Sequence, residues 1–234
     1  MWLAYGADRW IEGWRLVPGS IRTHRHHFHQ RWRWPFAAAW IAFLCVDVAV
    51  AATRLDAAEF LAGCYLLLPV AAYLLSHQFV HRHSRWRAPK EICVAVLLAG
   101  GAAVFVAGRP GADLHALAVP LALFVLLCFC NCALISLWED AVDLSHGQTS
   151  LALQSGHAAV YYRSVPWITS LIAAVTWLAC AGGTRPASAC ASASAVLLGL
   201  VDLSETRIGR VRARVLADVA LMTPAVPMLI RLLR

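Results

Sequence analysis

Seven stretches of this chain are apolar over roughly 20 residues, the length that an α-helix needs to cross the hydrocarbon core of a membrane. Lipid offers no hydrogen bonds to the backbone, so a chain that crosses it repeatedly in such runs must be helical. We therefore predict an all-α fold, a polytopic membrane bundle with seven transmembrane helices. The seven runs are 34–53, 58–77, 91–108, 113–138, 164–182, 186–203 and 211–232.

The composition supports this class. Hydrophobic residues make up 60% of the 234 residues and charged residues 14%, whereas soluble domains average about 45–50% and about 25%. The net charge of +7 therefore does not indicate a soluble nucleic-acid-binding protein. The eight cysteines lie within or at the ends of apolar runs and predict no disulfide framework. The excess of Arg over Lys and the high Ala content are typical of a bacterial protein.

The basic residues predict the orientation. Loops on the side of the N-terminus carry fifteen Arg and Lys residues, and those on the other side carry five. Cytoplasmic loops hold the excess of positive charge, so the N-terminus is expected in the cytoplasm. We expect one domain over 1–234, with cytoplasmic segments at 1–33 and 139–163, four spans in 34–138 and three in 164–234.

Two acidic pairs have the same spacing on the predicted cytoplasmic side. Asp8 and Glu12 are four residues apart, as are Glu139 and Asp143, and on a helix this spacing places both carboxylates on one face. Mg²⁺ binds one or two carboxylates together with phosphate oxygens, so the pairs indicate a magnesium–diphosphate site. Acidic side chains that are simply solvated in loops are the alternative.

The motifs around these pairs resemble those of the UbiA superfamily of intramembrane prenyltransferases. The first motif is matched in part by Ala7-Asp8-Arg9-x-x-Glu12-Gly13. The second has the spacing of the family's D-x-x-x-D-x-x-x-G-x-x-[ST]-x-A-x-x-x-G. Its residues here are Glu139, Asp143, Gly147, Ser150, Ala152 and Gly156. Four predicted spans separate the motifs and three follow the second, as in the family.

The resemblance implies Mg²⁺-dependent transfer of a prenyl group from an isoprenyl diphosphate to a hydrophobic acceptor, in the bacterial cytoplasmic membrane. It implies that Asp8, Glu12, Glu139 and Asp143 bind the metal ion and are the catalytic residues. It also implies that basic residues bind the diphosphate. The candidates are Arg9, Arg82, Arg85 and Lys90. For the residues of loop 78–90, contact with lipid headgroups is the alternative.

The chain departs from the family at several positions. Ala4 and Tyr5 stand where the family has Asn and Asp, and Glu12 and Glu139 replace aspartates. The family's first helix and most of its second have no counterpart before Asp8, so we expect the reading frame to continue upstream of Met1.

These departures keep two other functions open. The first is a catalytically inactive relative that serves as a membrane scaffold or lipid-binding protein. The second is a small transporter that uses Asp47 and Asp218, two carboxylates inside apolar runs, because intramembrane carboxylates usually face a cavity or a partner. Arg214 lies one turn before Asp218, and we expect a local ion pair between them.

Overall fold

A computed structural model describes residues 3, 6–7, 10–11, 24–76, 90–109, 111–145 and 150–232, apart from the side chains of 24–26, 158 and 230–232. Within these residues every regular element is a helix, which confirms the all-α class. The helices are α1 (His24–Arg31), α2 (Arg33–Arg54), α3 (Ala57–Leu75), α4 (Lys90–Ala107), α5 (Leu114–Trp138), α6 (Asp140–Ser145), α7 (Leu151–Ser155), a 3-10 helix (Gly156–Ser164), α8 (Val165–Ala179), α9 (Thr184–Ile208), α10 (Arg210–Ala220) and α11 (Ala225–Leu232).

Five of the described helices are long and apolar enough to cross a membrane, namely α2, α3, α4, α5 and α9. This is consistent with an integral membrane protein. The other two predicted runs form shorter helices. Helix α8 has 15 residues, and the run 211–232 is divided by a turn at 221–224 that contains Pro224, since proline removes a backbone donor and interrupts a helix.

The chain forms two compact units. The first contains Met1–Arg87, Gly100–Ala112 and Val142–Gln148, and the second contains Ala88–Ala99, Asp113–Ala141 and Thr149–Arg234. The single domain expected over 1–234 stays a prediction.

In the first unit, tryptophan side chains attach the N-terminal segment to α2. Trp40 Nε1 donates to the Leu3 carbonyl at 2.8 Å, and Trp10 Nε1 donates to the Arg33 carbonyl at 3.0 Å. Helix α3 begins with a capping box, in which the Asp56 side chain accepts from the backbone N–H of Glu59 and the Glu59 side chain reaches back to Asp56.

In the second unit, α5, α8, α9 and α10 pack around a buried core. Alanines let the helices approach closely, because a small side chain keeps two backbones near each other. The core residues are Leu123, Leu127, Cys130, Leu134, Trp138, Ala173, Ala191, Ala195, Leu198, Ala213, Ala217 and Ala220. Two hydroxyl pairs add to this packing. Ser170 on α8 pairs with Ser192 on α9 at 3.0 Å, and Ser194 on α9 pairs with Thr223 in the turn 221–224 at 2.6 Å between their oxygens.

Candidate functional site

Helix α5 ends at Trp138, immediately before the first residue of the second acidic pair. Glu139 leaves the helical conformation, with φ −105° and ψ 7°, and its side chain is largely buried. Its carboxylate oxygen Oε1 accepts a hydrogen bond from Nη1 of Arg214, on α10. A guanidinium that donates to a carboxylate makes a charge-assisted bond, so the negative charge of Glu139 is compensated within the second unit.

Trp138, next to Glu139, is fixed by a buried carboxylate. Its indole Nε1 donates to Oδ1 of Asp202 on α9 at 2.9 Å, and Asp202 is only 4% exposed. The other oxygen of Asp202, Oδ2, accepts from Nη1 of Arg163 at 3.3 Å. Because an unpaired buried carboxylate is costly, these two donors explain why an aspartate is tolerated there.

These contacts gather five residues from four helical segments of the second unit. We call them the α5-end cluster, and its members are Trp138, Glu139, Arg163, Asp202 and Arg214. A further ion pair, between Arg210 and Glu205 at 3.8 Å, connects the two helices that meet at Gly209. The cluster therefore combines carboxylates with guanidinium groups, the chemistry that a site for a metal ion and a phosphate needs.

The far end of the second motif is anchored by hydrogen bonds to its backbone. Helix α7 begins at Leu151, whose N–H donates to Oε1 of Glu91 at 3.0 Å, and the N–H of Ala152 donates to Oγ of Ser136 at 3.1 Å. Ser150 is buried, but its side chain does not cap the helix. Side chains from α4 and α5 thus satisfy backbone donors that a helix start leaves free.

Asp143 and Asp140 face different environments. Asp143 is 6% exposed in α6, whereas Asp140 is exposed. The assumption that Glu139 and Asp143 share one helix is wrong, because α5 ends at Trp138 and α6 begins at Asp140. Glu139 belongs to the second unit and Asp143 to the first. Their role as joint metal ligands stays a prediction.

The remaining predicted site residues fall mostly outside the described part of the chain. Lys90 is described, as the half-buried first residue of α4. The others, for which the assignment stays a prediction, are Asp8, Arg9, Glu12, Arg82 and Arg85.

The two carboxylates considered for a transporter belong to different units. Asp47 is exposed on α2 of the first unit. Asp218, on α10 of the second, accepts from Nδ2 of Asn131 at 3.1 Å. The expected ion pair between Arg214 and Asp218 is wrong, because Arg214 reaches Glu139 and the neighbouring helix α5 supplies the partner of Asp218.

One residue of the α5-end cluster, Glu139, carries a group that can serve as a ligand of Mg²⁺. Among the described residues, no group of three or more His, Cys, Asp or Glu side chains is arranged to hold a metal ion. Glu139 offers a carboxylate whose hydrogen bond with Arg214 uses Oε1 alone, and carboxylate oxygen is the ligand that Mg²⁺ prefers.

Sequence reasoning missed four residues that shape this region. They are Glu91, Ser136, Arg163 and Asp202. For Asp202 a signal was present, since a carboxylate inside the apolar run 186–203 needs a partner. No sequence spacing identifies Trp138 and Arg163 as its donors, because they lie 64 and 39 residues away along the chain.

Comparison with known proteins gave no match: no protein-family model matches this chain, and neither do the curated proteins or the solved structures searched.

Proposed function

We propose that this protein is a UbiA-like prenyltransferase that transfers a prenyl group from an isoprenyl diphosphate to a hydrophobic acceptor. We place it in the bacterial cytoplasmic membrane, with seven spans and both acidic motifs on the cytoplasmic side. The observation that carries the proposal is the second motif, in which Glu139, Asp143, Ser150 and Ala152 keep the family's spacing. Side-chain contacts at Glu139 and at Leu151 and Ala152 support it, since a binding segment must be held in place.

In this proposal, Glu139 and Asp143 would hold Mg²⁺ together with Asp8 and Glu12. The metal ion, when bound, would supply charge stabilisation to the diphosphate leaving group. Basic side chains, among them Arg9 and the residues of loop 78–90, neutralise the remaining negative charge. The apolar interior of the bundle excludes water from the allylic carbon as the bond to the diphosphate breaks and the bond to the acceptor forms.

The test is binding of farnesyl diphosphate to the protein in nanodiscs, with Mg²⁺ and with EDTA. We expect Asp143→Ala to abolish the Mg²⁺-dependent binding, because it removes a ligand and leaves its neighbours uncompensated. Asp140→Ala is the matched control, since Asp140 is exposed and lies outside the motif. Equal losses in both variants would contradict the assigned ligand set.

A second candidate is a catalytically inactive relative that acts as a membrane scaffold or binds lipid. The ion pair between Arg214 and Glu139 favours it, because a carboxylate that is already compensated has less need of a metal ion. The presence of Ala4 and Tyr5 at ligand positions of the family motif favours it as well. Wild-type protein that binds no farnesyl diphosphate with Mg²⁺ present would decide for this candidate.

A further inference from the structure

Arg214 is held beside Glu139 by the packing of its own helix. The residues on either side of this contact along α10, Ala213 and Ala217, have no exposed surface, so the backbone of α10 is fixed against its neighbours. The Arg214 side chain is 26% exposed and that of Glu139 is 13% exposed. A guanidinium has five N–H donors, and the contact with Glu139 uses only Nη1. Donors remain for another anion.

Arg214 is paired with a carboxylate that is a predicted metal ligand, whereas two nearby arginines are paired with carboxylates that are not. Arg163 is paired with Asp202, which Trp138 also holds, and Arg210 is paired with Glu205. Neither of these carboxylates belongs to the predicted metal ligands. The partner of Arg214 is Glu139, which does. A metal ion at Glu139 would therefore take away the counterion of Arg214 and of no other arginine in the α5-end cluster.

We propose that Arg214 is a diphosphate-binding residue that exchanges partners. Without ligand it holds Glu139. When Mg²⁺ binds Glu139, the guanidinium turns to the diphosphate that the metal ion brings with it. Arginine suits this role because its planar group donates two parallel hydrogen bonds to phosphate oxygens. The proposal rests on the proposed function, and it concerns residues of the second unit alone.

Two binding measurements test the exchange, both on the full chain in nanodiscs. The first is the affinity for Mg²⁺ without any phosphate compound, and the second is the affinity for inorganic diphosphate at saturating Mg²⁺. In Arg214→Gln we expect Mg²⁺ to bind more tightly, because Glu139 loses its competing cation. We expect diphosphate to bind about tenfold more weakly, the loss typical of a hydrogen bond to a charged group. The two affinities thus change in opposite directions.

Arg212→Gln is the matched control. It removes the same charge two residues away on α10, from an exposed side chain that makes no described contact with Glu139. We expect both affinities to stay within about twofold of wild type, as for an exposed, screened charge. Equal changes in Arg214→Gln and Arg212→Gln would show a general effect of charge and would overturn the proposal.

The other outcomes distinguish a failure of the partner exchange by Arg214 from a failure of the proposed prenyltransferase function. Weakening of both affinities in Arg214→Gln would show a structural role and overturn the exchange alone. Wild-type protein that binds neither Mg²⁺ nor diphosphate would overturn the proposed function and the exchange together. If Arg214→Gln does not fold, Arg214→Lys replaces it, since lysine keeps the charge but not the planar group. Wild-type diphosphate affinity in Arg214→Lys would then overturn the proposal, and a loss would support it.

Discussion

Helices α2 and α9 are both long and apolar enough to cross a membrane, with 22 and 25 residues, but only α9 has buried residues. No residue of α2 is buried, although α2 is the more apolar of the two. In α9 the buried residues recur every three or four positions and are mostly small or polar. They are Ser188, Ala191, Ser194, Ala195, Leu198, Gly199 and Asp202.

This difference teaches that hydropathy and burial are separate properties of a membrane helix. Lipid is as apolar as a leucine side chain, so apolar surface alone gives two helices little reason to associate. Small residues let backbones approach, and hydroxyl and carboxylate groups find partners across the contact. The two aspartates of these helices illustrate the point, since Asp202 has two donors whereas Asp47 is exposed.

The largest loss of stability is expected on substitution of Asp202. Asp202→Ala leaves the buried indole N–H of Trp138 without an acceptor and removes the counterion of Arg163. We expect the free energy of unfolding to fall by about 2–3 kcal/mol, measured as thermal unfolding in detergent by tryptophan fluorescence. Asp202→Asn keeps an oxygen that can accept from Trp138, so its free energy of unfolding should fall by less. Stability of Asp202→Ala equal to wild type would contradict the role of this carboxylate in packing α9.

The next largest loss of stability is expected where α8 and α9 approach closely, at Gly199. A Cβ atom at Gly199 would lie 2.6 Å from Cζ2 of Trp167, so Gly199→Ala should cost about 1–2 kcal/mol through overpacking. Combining it with Trp167→Leu should recover part of the loss, as a double-mutant cycle in detergent would measure. Gly183→Ala is the control, because a Cβ there meets no atom within 4 Å. Equal stability of Gly199→Ala and Gly183→Ala would contradict the close contact.

A smaller effect is expected at Ser194, whose hydroxyl pairs with that of Thr223. Ser194→Ala should cost about 0.6 kcal/mol, the average for hydrogen bonds between membrane helices, because Thr223 keeps its bond to the Cys190 carbonyl. Ser204→Ala removes a hydroxyl that bonds only within α9 and should leave the melting temperature unchanged. A greater loss of stability in Ser204→Ala than in Ser194→Ala would contradict the assignment of Ser194 as the hydroxyl that joins α9 to the turn 221–224.

The smallest change in stability is expected on substitution of Asp47, on α2. Asp47 is exposed and no contact of its side chain is described, so Asp47→Ala should not change the melting temperature in detergent. Asp202→Ala, measured in parallel, shows what loss of a packed carboxylate does. A large decrease in the melting temperature of Asp47→Ala would mean that this carboxylate has a partner. It would contradict the difference drawn between α2 and α9.

The sequence by itself determined the class of this protein. Apolar runs of membrane-spanning length predicted an all-helical chain, because only a helix satisfies its own backbone in lipid, and five of these runs form single helices of sufficient length. The apolar run 113–138 also predicted the end of α5, which the structure places at Trp138. The break after it was not predicted, since a turn of one residue separates α5 from α6.

Only the tertiary structure decided which charged groups are paired. Arg214 binds Glu139, 75 residues away, and not Asp218 on its own helix. Glu91 binds the N–H of Leu151, 60 residues away. Spacing along one helix reveals neighbours on that helix alone, whereas partners on other helices depend on how small side chains such as Ala213 and Ala217 let those helices approach.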